Sequence, residues 1–115
     1  MIISHLDDVK GTKIEREDVK GVLMKVLISP KEGWEGYVMR EFELDEGGYT
    51  PKHNHPWPHI NYFISGEGEL YLKGETHKLK PGGFAYIPAD TEHQFKNVGK
   101  EKFRFICIVP KEGHK

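Results

Sequence analysis

The sequence has few of the features that mark secreted and membrane-bound proteins. It contains one cysteine, Cys107, so an internal disulfide is excluded and a reducing, cytoplasmic location is expected. It has no apolar run near the roughly 20 residues that a transmembrane helix needs. Residues 1–8 become acidic too early for a secretory signal peptide. We therefore expect no membrane partner.

An excess of charge of either sign is also missing. The 17 lysine and arginine residues nearly balance the 18 acidic residues, which gives a formal net charge of -1. Nucleic-acid-binding domains usually carry a basic excess, so no nucleic-acid partner is expected. A chain of 115 residues suits one hydrophobic core, and we expect a single domain over residues 1–115.

No segment combines a helical repeat of apolar residues with helix caps. Instead, 13 glycines and 7 prolines separate short segments rich in apolar and β-branched residues. Turns are expected at 45–48 and at Gly74-Glu75, the latter as a two-residue type II′ hairpin. The expected strands are 22–28, 37–44, 60–65, 69–73, 76–79, 84–87, a strand from His93, and 103–109. About eight to ten short strands predict an all-β fold, a closed barrel or a jelly roll.

Four of the seven histidines predict a metal site. His53, His55 and His59 are spaced by even numbers of residues, so on extended backbone their side chains share one face. His93 follows in a separate strand. Neutral imidazole is a common ligand for first-row transition metals. The alternative is a solvated histidine-rich loop that binds metals without function; the matched spacing and the distant fourth histidine favour the metal site.

The same residues resemble the two motifs of the cupins, which are small double-stranded β-helix (jelly-roll) barrels. The first motif of that family is Gly, five residues, His-x-His, three or four residues, Glu, six residues and Gly. Here it reads Gly47, His53, His55, His59 and Gly66. The second is Gly, five residues, Pro-x-Gly, two residues, His, three residues and Asn. Here it reads Gly82, Pro88, Asp90, His93 and Asn97. The resemblance implies a barrel over about residues 40–110, preceded by an N-terminal segment, 1–29.

Two positions depart from the cupin pattern. Asp90 replaces the second-motif glycine, and aspartate tolerates a left-handed backbone. His59 replaces the first-motif glutamate, so a site of His53, His55, His59 and His93 has four neutral ligands and should favour anionic substrates. The resemblance implies ligands on one inner wall, which leaves open positions on an octahedral metal; a closed tetrahedral zinc site is the alternative. We expect one divalent transition metal per chain, with manganese or iron favoured and nickel, zinc and copper as alternatives.

Parity along the strands predicts which side chains surround the metal. An aromatic pocket is expected from Phe42, Phe95 and Phe105, although core packing alone would also place phenylalanines there. Arg40 and Cys107 are the candidate catalytic residues. Arg40 suits a substrate carboxylate, and its alternative is a salt bridge to Glu41, Glu43 or a partner subunit. Cys107 has the alternative of a small buried hydrophobic residue.

Two classes of function stay open at this point. The first is a metal-dependent oxidoreductase, such as a dioxygenase, acting on a small anionic organic molecule, with a metal-dependent isomerase or lyase as its variant. The second is a non-catalytic protein that binds a metal or small ligand. We also expect a homodimer whose interface includes Val22 to Ile28, because exposed sheet edges are usually paired or covered. The competing interpretation is that this strand closes its own barrel.

Overall fold

The computed structural model describes residues 1–114, so Lys115, the last residue of the expected domain, lies outside the described residues. Within that range the chain forms nine strands, joined in antiparallel pairs into one curled sheet. The strands are β1 (Thr12–Ile14), β2 (Lys20–Ile28), β3 (Tyr37–Tyr49), β4 (His59–Ser65), β5 (Gly68–Leu72), β6 (Glu75–Leu79), β7 (Phe84–Ile87), β8 (His93–Asn97) and β9 (Phe103–Pro110). Three short 3-10 turns cover Leu6–Asp8, Pro30–Glu32 and Lys111–Gly113. The all-β prediction is confirmed.

Strand β3 joins the two halves of the sheet. The strand order is β6-β5-β8-β3-β9-β4-β7, and β2 also pairs with β3 while β1 pairs with β2. Along residues 37–44, β3 pairs with β9, whereas at its far end Tyr49 pairs with Lys96 of β8. The curl places the starts of β4 and β8, His59 and His93, close to each other on the inner face.

The turn predicted at residues 45–48 is wrong, because β3 continues through it to Tyr49. On β2, Lys20 lies opposite Tyr49 and Val22 lies opposite Leu44, so the β3 residues between them bulge out of the pairing. The left-handed backbone of Gly47, with φ 75°, allows this bulge. The sequence signal for a turn therefore marks a bulge that bends one long strand.

The β5–β6 hairpin is present, but its turn lies one residue earlier than predicted. Leu72 pairs with Glu75, so Lys73 and Gly74 are the central residues. Both have positive φ, 49° and 82°, which is the pattern of a type I′ turn. The right-handed twist of the two strands favours this turn even though it places a lysine in the left-handed region.

The core lies inside the curl and is mainly aromatic. Phe63, Phe103 and Phe105 are at most 2% exposed and pack on one another. The cluster is completed by Val22, Leu44, Leu70, Ile87 and Phe95. This packing leaves the histidine-bearing end of the curl as the open end of the interior.

The segment expected at a dimer interface pairs within its own chain. Strand β2 lies between β1 and β3 and buries Val22 against the core. This arrangement matches the competing interpretation for residues 22–28, while the homodimer itself stays a prediction. In the described part of the chain, no helix has the length and apolar character to cross a membrane.

Candidate metal centre

Backbone pairing brings the histidine segments together. His53 lies outside the named strands but forms an isolated bridge with His93, the first residue of β8. Their backbones exchange two hydrogen bonds, His53 N to His93 O at 3.1 Å and His93 N to His53 O at 2.9 Å. Two residues on, His55 O accepts from Asp90 N at 2.8 Å, and Asp90 has the left-handed φ of 60° expected of its motif position.

The structure places three of the predicted ligands in one cluster and the fourth beside it. His53, His55 and His93 each offer a ring nitrogen, and these nitrogens lie within 4.8 Å of one another. His59, at the start of β4, has its Nε2 atom 3.1 Å from Nε2 of His93. The cluster is open on one side, because His53 is exposed while His93 is only 3% exposed.

Hydrogen bonds at the far side of three rings set which nitrogen carries the proton. His55 Nδ1 lies 2.8 Å from Trp57 O, and His93 Nδ1 lies 2.9 Å from Thr91 O. Carbonyl oxygens only accept, so both Nδ1 atoms donate and both Nε2 atoms carry a lone pair. His59 Nδ1 lies 2.7 Å from Asn61 Oδ1, and Asn61 Nδ2 is directed to Ile106 O at 3.4 Å, so His59 donates in the same way.

The rings of His53, His59 and His93 are neutral near physiological pH. Burial lowers the pKa of His59 to about 3, and the neighbouring His93 acts in the same direction. Desolvation followed by the proximity of His93 and His55 lowers the pKa of His53 to about 4. Burial also lowers the pKa of His93, against the raising effect of its hydrogen bond to Thr91.

Neutral rings with fixed protons leave two lone pairs facing each other. His59 Nε2 and His93 Nε2 are 3.1 Å apart, and neither carries a proton to share when both Nδ1 atoms donate. A cation bound by both nitrogens satisfies both lone pairs, and metal-binding histidines generally donate their other ring nitrogen to an oxygen. The donor set therefore fits a divalent transition metal.

A cavity of about 340 Å³ extends from the histidines into the curl. The predicted aromatic residues Phe42, Phe95 and Phe105 all line it, and they also belong to or pack against the core. The phenylalanines therefore belong to the core packing, and their contact with a substrate stays a prediction. Among the described residues that line the cavity there is no aspartate or glutamate, whereas Arg16 and Arg40 are both present.

Arg40 lines the cavity without an acidic partner in the described chain. Its Nη2 donates to Cys107 Sγ at 3.2 Å, and its guanidinium carbon lies 5.0 Å from the centre of the Phe42 ring. Its Nε is buried and has no hydrogen-bond partner. The intramolecular salt bridges considered for it do not form, because Glu41 and Glu43 lie on the other face of β3 and pair with Arg104.

Cys107 is 4% exposed and lines the same cavity. Burial raises the pKa of its thiol, although Arg40 and Asn61 act in the opposite direction. The side chain is therefore a neutral thiol at physiological pH. It is suited to donating a hydrogen bond and poorly suited to nucleophilic attack.

The contacts of three residues at the site were not predicted from the sequence. Asn61 orients His59, Trp57 stacks on His55 with ring centres 4.8 Å apart, and His114 lines the cavity from the other end of the chain. Parity along β4 places Asn61 on the inner face but gives no reason to pair it with His59. No sequence signal indicates His114, since its place depends on how the chain folds back after β9.

The geometry defines a small β-barrel-like protein with a histidine cluster at the open end of its interior. A family model described as Cupin_2, the cupin domain, matches residues 40–109. The chain therefore belongs to the cupin family, as the two motifs implied.

The chain is similar to several proteins whose activities are named. The polyketide cyclase RemF from Streptomyces resistomycificus superposes with a TM-score of 0.89 and 31% identity, covering 96% of this chain and 79% of RemF. "Polyketide synthase CurC" from Streptomyces cyaneus is 30% identical over 86% of this chain, which spans only 64% of CurC. A glucose-6-phosphate isomerase from Thermococcus onnurineus is 27% identical over 98% of this chain and 71% of its own length.

Proposed function

We propose that this protein is a metal-dependent enzyme that acts on a small, enolisable organic anion. The metal would be held by His53, His55, His59 and His93. The observation that supports this most strongly is the set of Nδ1 hydrogen bonds on His55, His59 and His93, which directs unprotonated Nε2 atoms into one end of the cavity. The absence of carboxylates from the described cavity lining supports an anionic substrate.

When bound, a divalent metal supplies Lewis acidity that stabilises negative charge on a substrate oxygen. The protein's own residues have three further tasks in this proposal. Arg40 binds an anionic group of the substrate through its buried, unpartnered Nε and its remaining N–H groups. Phe42, Phe95 and Phe105 form an apolar wall against which the carbon skeleton of the substrate packs. Cys107, as a thiol, donates one hydrogen bond toward the same space.

The reaction class follows from the groups available for proton transfer. With no carboxylate in the described cavity lining and a protonated Cys107, a proton leaving the substrate carbon passes to solvent, to the neutral imidazole of His114 or to the substrate's own anionic group. RemF is a polyketide cyclase and the Thermococcus relative is an isomerase, and both names describe rearrangement of carbon skeletons or carbonyl groups. We therefore place cyclisation or isomerisation first for this chain.

An oxidoreductase of the dioxygenase type is the second candidate. It is favoured by the same shortage of acid–base side chains, since such chemistry relies on the metal and the substrate. A non-catalytic binding protein is the remaining alternative. The three candidate functions differ in whether the bound molecule is converted at all and in whether the conversion needs oxygen.

Proton–deuterium exchange on a small panel of enolisable anions tests the proposal. The protein with its metal is incubated under nitrogen in D₂O with pyruvate, acetoacetate and dihydroxyacetone phosphate, and exchange at the carbon beside the carbonyl is followed by NMR. We expect faster exchange than in buffer for at least one compound, and loss of that exchange in His55→Ala. Oxygen uptake under air without anaerobic exchange would favour the oxidoreductase. If neither exchange nor oxygen uptake is observed, the result favours a binding protein.

A further inference from the structure

The chain folds back after β9 and closes one side of the cavity. Lys111 N donates to Gly36 O at 2.8 Å, and His114 N donates to Lys111 O at 3.1 Å. These hydrogen bonds hold the 3-10 turn Lys111–Gly113 in place. Gly113 and His114 consequently line the same cavity as the histidine cluster, although they lie far from it in sequence.

The turn is seated on the tryptophan that orients a proposed metal ligand. A Cβ atom on Gly113 would overlap the indole of Trp57, so only glycine allows this close approach. Trp57 in turn stacks nearly parallel to the His55 ring, at 10°, and its carbonyl oxygen accepts from His55 Nδ1. The packing of Gly113 on Trp57 therefore fixes the position of the next residue, His114.

Apart from the four clustered histidines, the basic side chains that line the cavity are Arg16, Arg40 and His114, and no acidic side chain of the described residues lines it. Arg16 is already paired, since its Nη2 lies 3.0 Å from Asp18 Oδ2. Arg40 has the buried, unpartnered Nε described above. Burial and then the nearby Arg40 lower the pKa of His114, so its ring is neutral and offers one N–H donor at physiological pH.

The pairing of the strands shows how far Arg40 lies from the histidine cluster along the sheet. Arg40 pairs with Cys107 of β9, and Cys107 pairs with Asn61 of β4. His59 lies two residues before Asn61, so the row of Arg40 is displaced by about 7 Å along the strands from the row of His59. A ligand that spans the two rows needs two polar groups separated by a few bonds.

We propose that Arg40 and His114 form an anion-binding subsite in the same cavity as the histidine cluster, with His114 held in place by the contact of Gly113 with Trp57. The substrate class is then a bifunctional organic anion, with an oxygen group for the metal end and a carboxylate or phosphoryl group for the Arg40–His114 end. This inference rests on the proposed function, because the first group is assigned to a metal-binding cluster.

Calorimetry with matched acids at fixed salt tests the subsite. Succinate and butyrate have the same number of carbons but differ in the second acidic group, and 3-phosphonopropionate replaces one carboxylate of succinate with a phosphonate. For the metal-containing protein we expect succinate or 3-phosphonopropionate to bind at least about ten-fold more tightly than butyrate. The tighter of the two dianions identifies the acidic group that the subsite prefers.

Two variants and one control variant distinguish binding at the subsite from changes that any substitution of a basic side chain would cause. His114→Ala and Arg40→Met should each reduce the preference for the diacid over butyrate at least about three-fold. His77→Ala removes an exposed histidine of β6 and should keep the full preference. The subsite proposal is wrong if the native protein does not prefer the diacids over butyrate, or if both variants keep that preference in full. Metal content of the same samples, by plasma emission, reports separately on the proposed function.

Discussion

Asn61 Oδ1 accepts a hydrogen bond from Nδ1 of His59 at 2.7 Å, and both side chains are buried. Because the Asn61 amide nitrogen is directed to Ile106 O, the amide cannot turn without losing this second contact. The bond fixes the His59 tautomer, and through it the direction of the Nε2 lone pair. Asn61 is thus a positioning residue for the proposed metal ligand.

Replacing Asn61 with Ala should weaken metal binding while leaving all four histidines in place. Partners that orient metal-binding histidines typically contribute about 10- to 100-fold in metal affinity, and we expect a loss in that range. Competition with a chelator of known affinity measures the loss. Asn54→Ala changes an exposed asparagine between His53 and His55 and serves as the matched control. Equal affinity in Asn61→Ala and the native protein would show that His59 is not oriented by this bond or is not a ligand.

Replacing His59 with Glu should lower the affinity of the metal-containing protein for small carboxylates. Four neutral ligands leave the full charge of a divalent metal to attract anions, and one carboxylate ligand cancels part of it. We expect acetate to lose most of its advantage over neutral acetamide, measured by calorimetry at fixed salt. His59→Gln changes the ligand without adding charge and separates the two effects. The same acetate preference in the native and Glu variants would contradict the charge argument.

Glu41 gives the fold a pH dependence that is independent of the metal centre. It is fully buried on the outer face of β3; burial and then the neighbouring Glu43 raise its pKa to about 7, against the lowering effect of Arg104. Between the ordinary glutamate pKa near 4.5 and about 7, the native state holds more protons than the unfolded state. Its contribution to the free energy of unfolding therefore falls as pH rises through that window and is constant above it.

Glu41→Gln should remove this contribution. The free energy of unfolding is measured in urea at pH 5 and at pH 8. On going to pH 8, that of the variant should rise by roughly 1–3 kcal/mol relative to that of the native protein. Glu46→Gln, at an exposed position of the β3 bulge, is the control and should follow the native protein. Parallel pH profiles for Glu41→Gln and the native protein would show that Glu41 titrates normally.

An apolar patch on the outer face of β4 and β7 bears on the expected homodimer. Its four side chains are at least half exposed: Ile60, Tyr62, Phe84 and Tyr86. Its three aromatic residues alone expose about 400 Å², which is half of the roughly 800 Å² that each partner buries in a standard interface. We propose that a second copy of the chain covers this patch, in place of the β2 segment.

Light scattering at micromolar concentration checks the assembly. We expect twice the chain mass of 13.3 kDa for the native protein and a monomer for Phe84→Asp, whose side chain is 80% exposed and outside the core. Val98→Asp changes an exposed apolar residue outside the patch and should leave the dimer intact. A strictly monomeric native protein would exclude the dimer, and a dimer that persists in Phe84→Asp would move the interface elsewhere.

The sequence predicts local features of this fold better than contacts between distant segments. Alternating apolar residues locate most strands, and even spacing places His53, His55 and His59 on one face. Glycine is typical of turns and of bulges alike, and only the pairing of β3 with β2 distinguishes the two at Gly47. The hairpin register depends on strand twist, which places Lys73 in the turn.

In the site, too, the sequence predicts local features better than contacts between distant segments. The histidine cluster follows from spacing within two short segments, so it is within reach of sequence reasoning. The contacts of Asn61 with His59, of Gly113 with Trp57 and of His114 with the cavity arise from side-chain packing or from the return of the chain after β9. Such contacts join residues that lie far apart in the chain or share no motif, and their partners are defined only by the three-dimensional structure.

The metal content of the protein tests the central claim most directly. The protein is purified without chelators or added metal and analysed by plasma emission, together with a His55→Ala/His93→Ala double variant. We predict close to one divalent transition metal per native chain and near-background metal in the double variant, with both proteins folded by circular dichroism. Equal metal content in the two proteins, or a native protein that takes up no divalent metal even when it is supplied, would contradict the account.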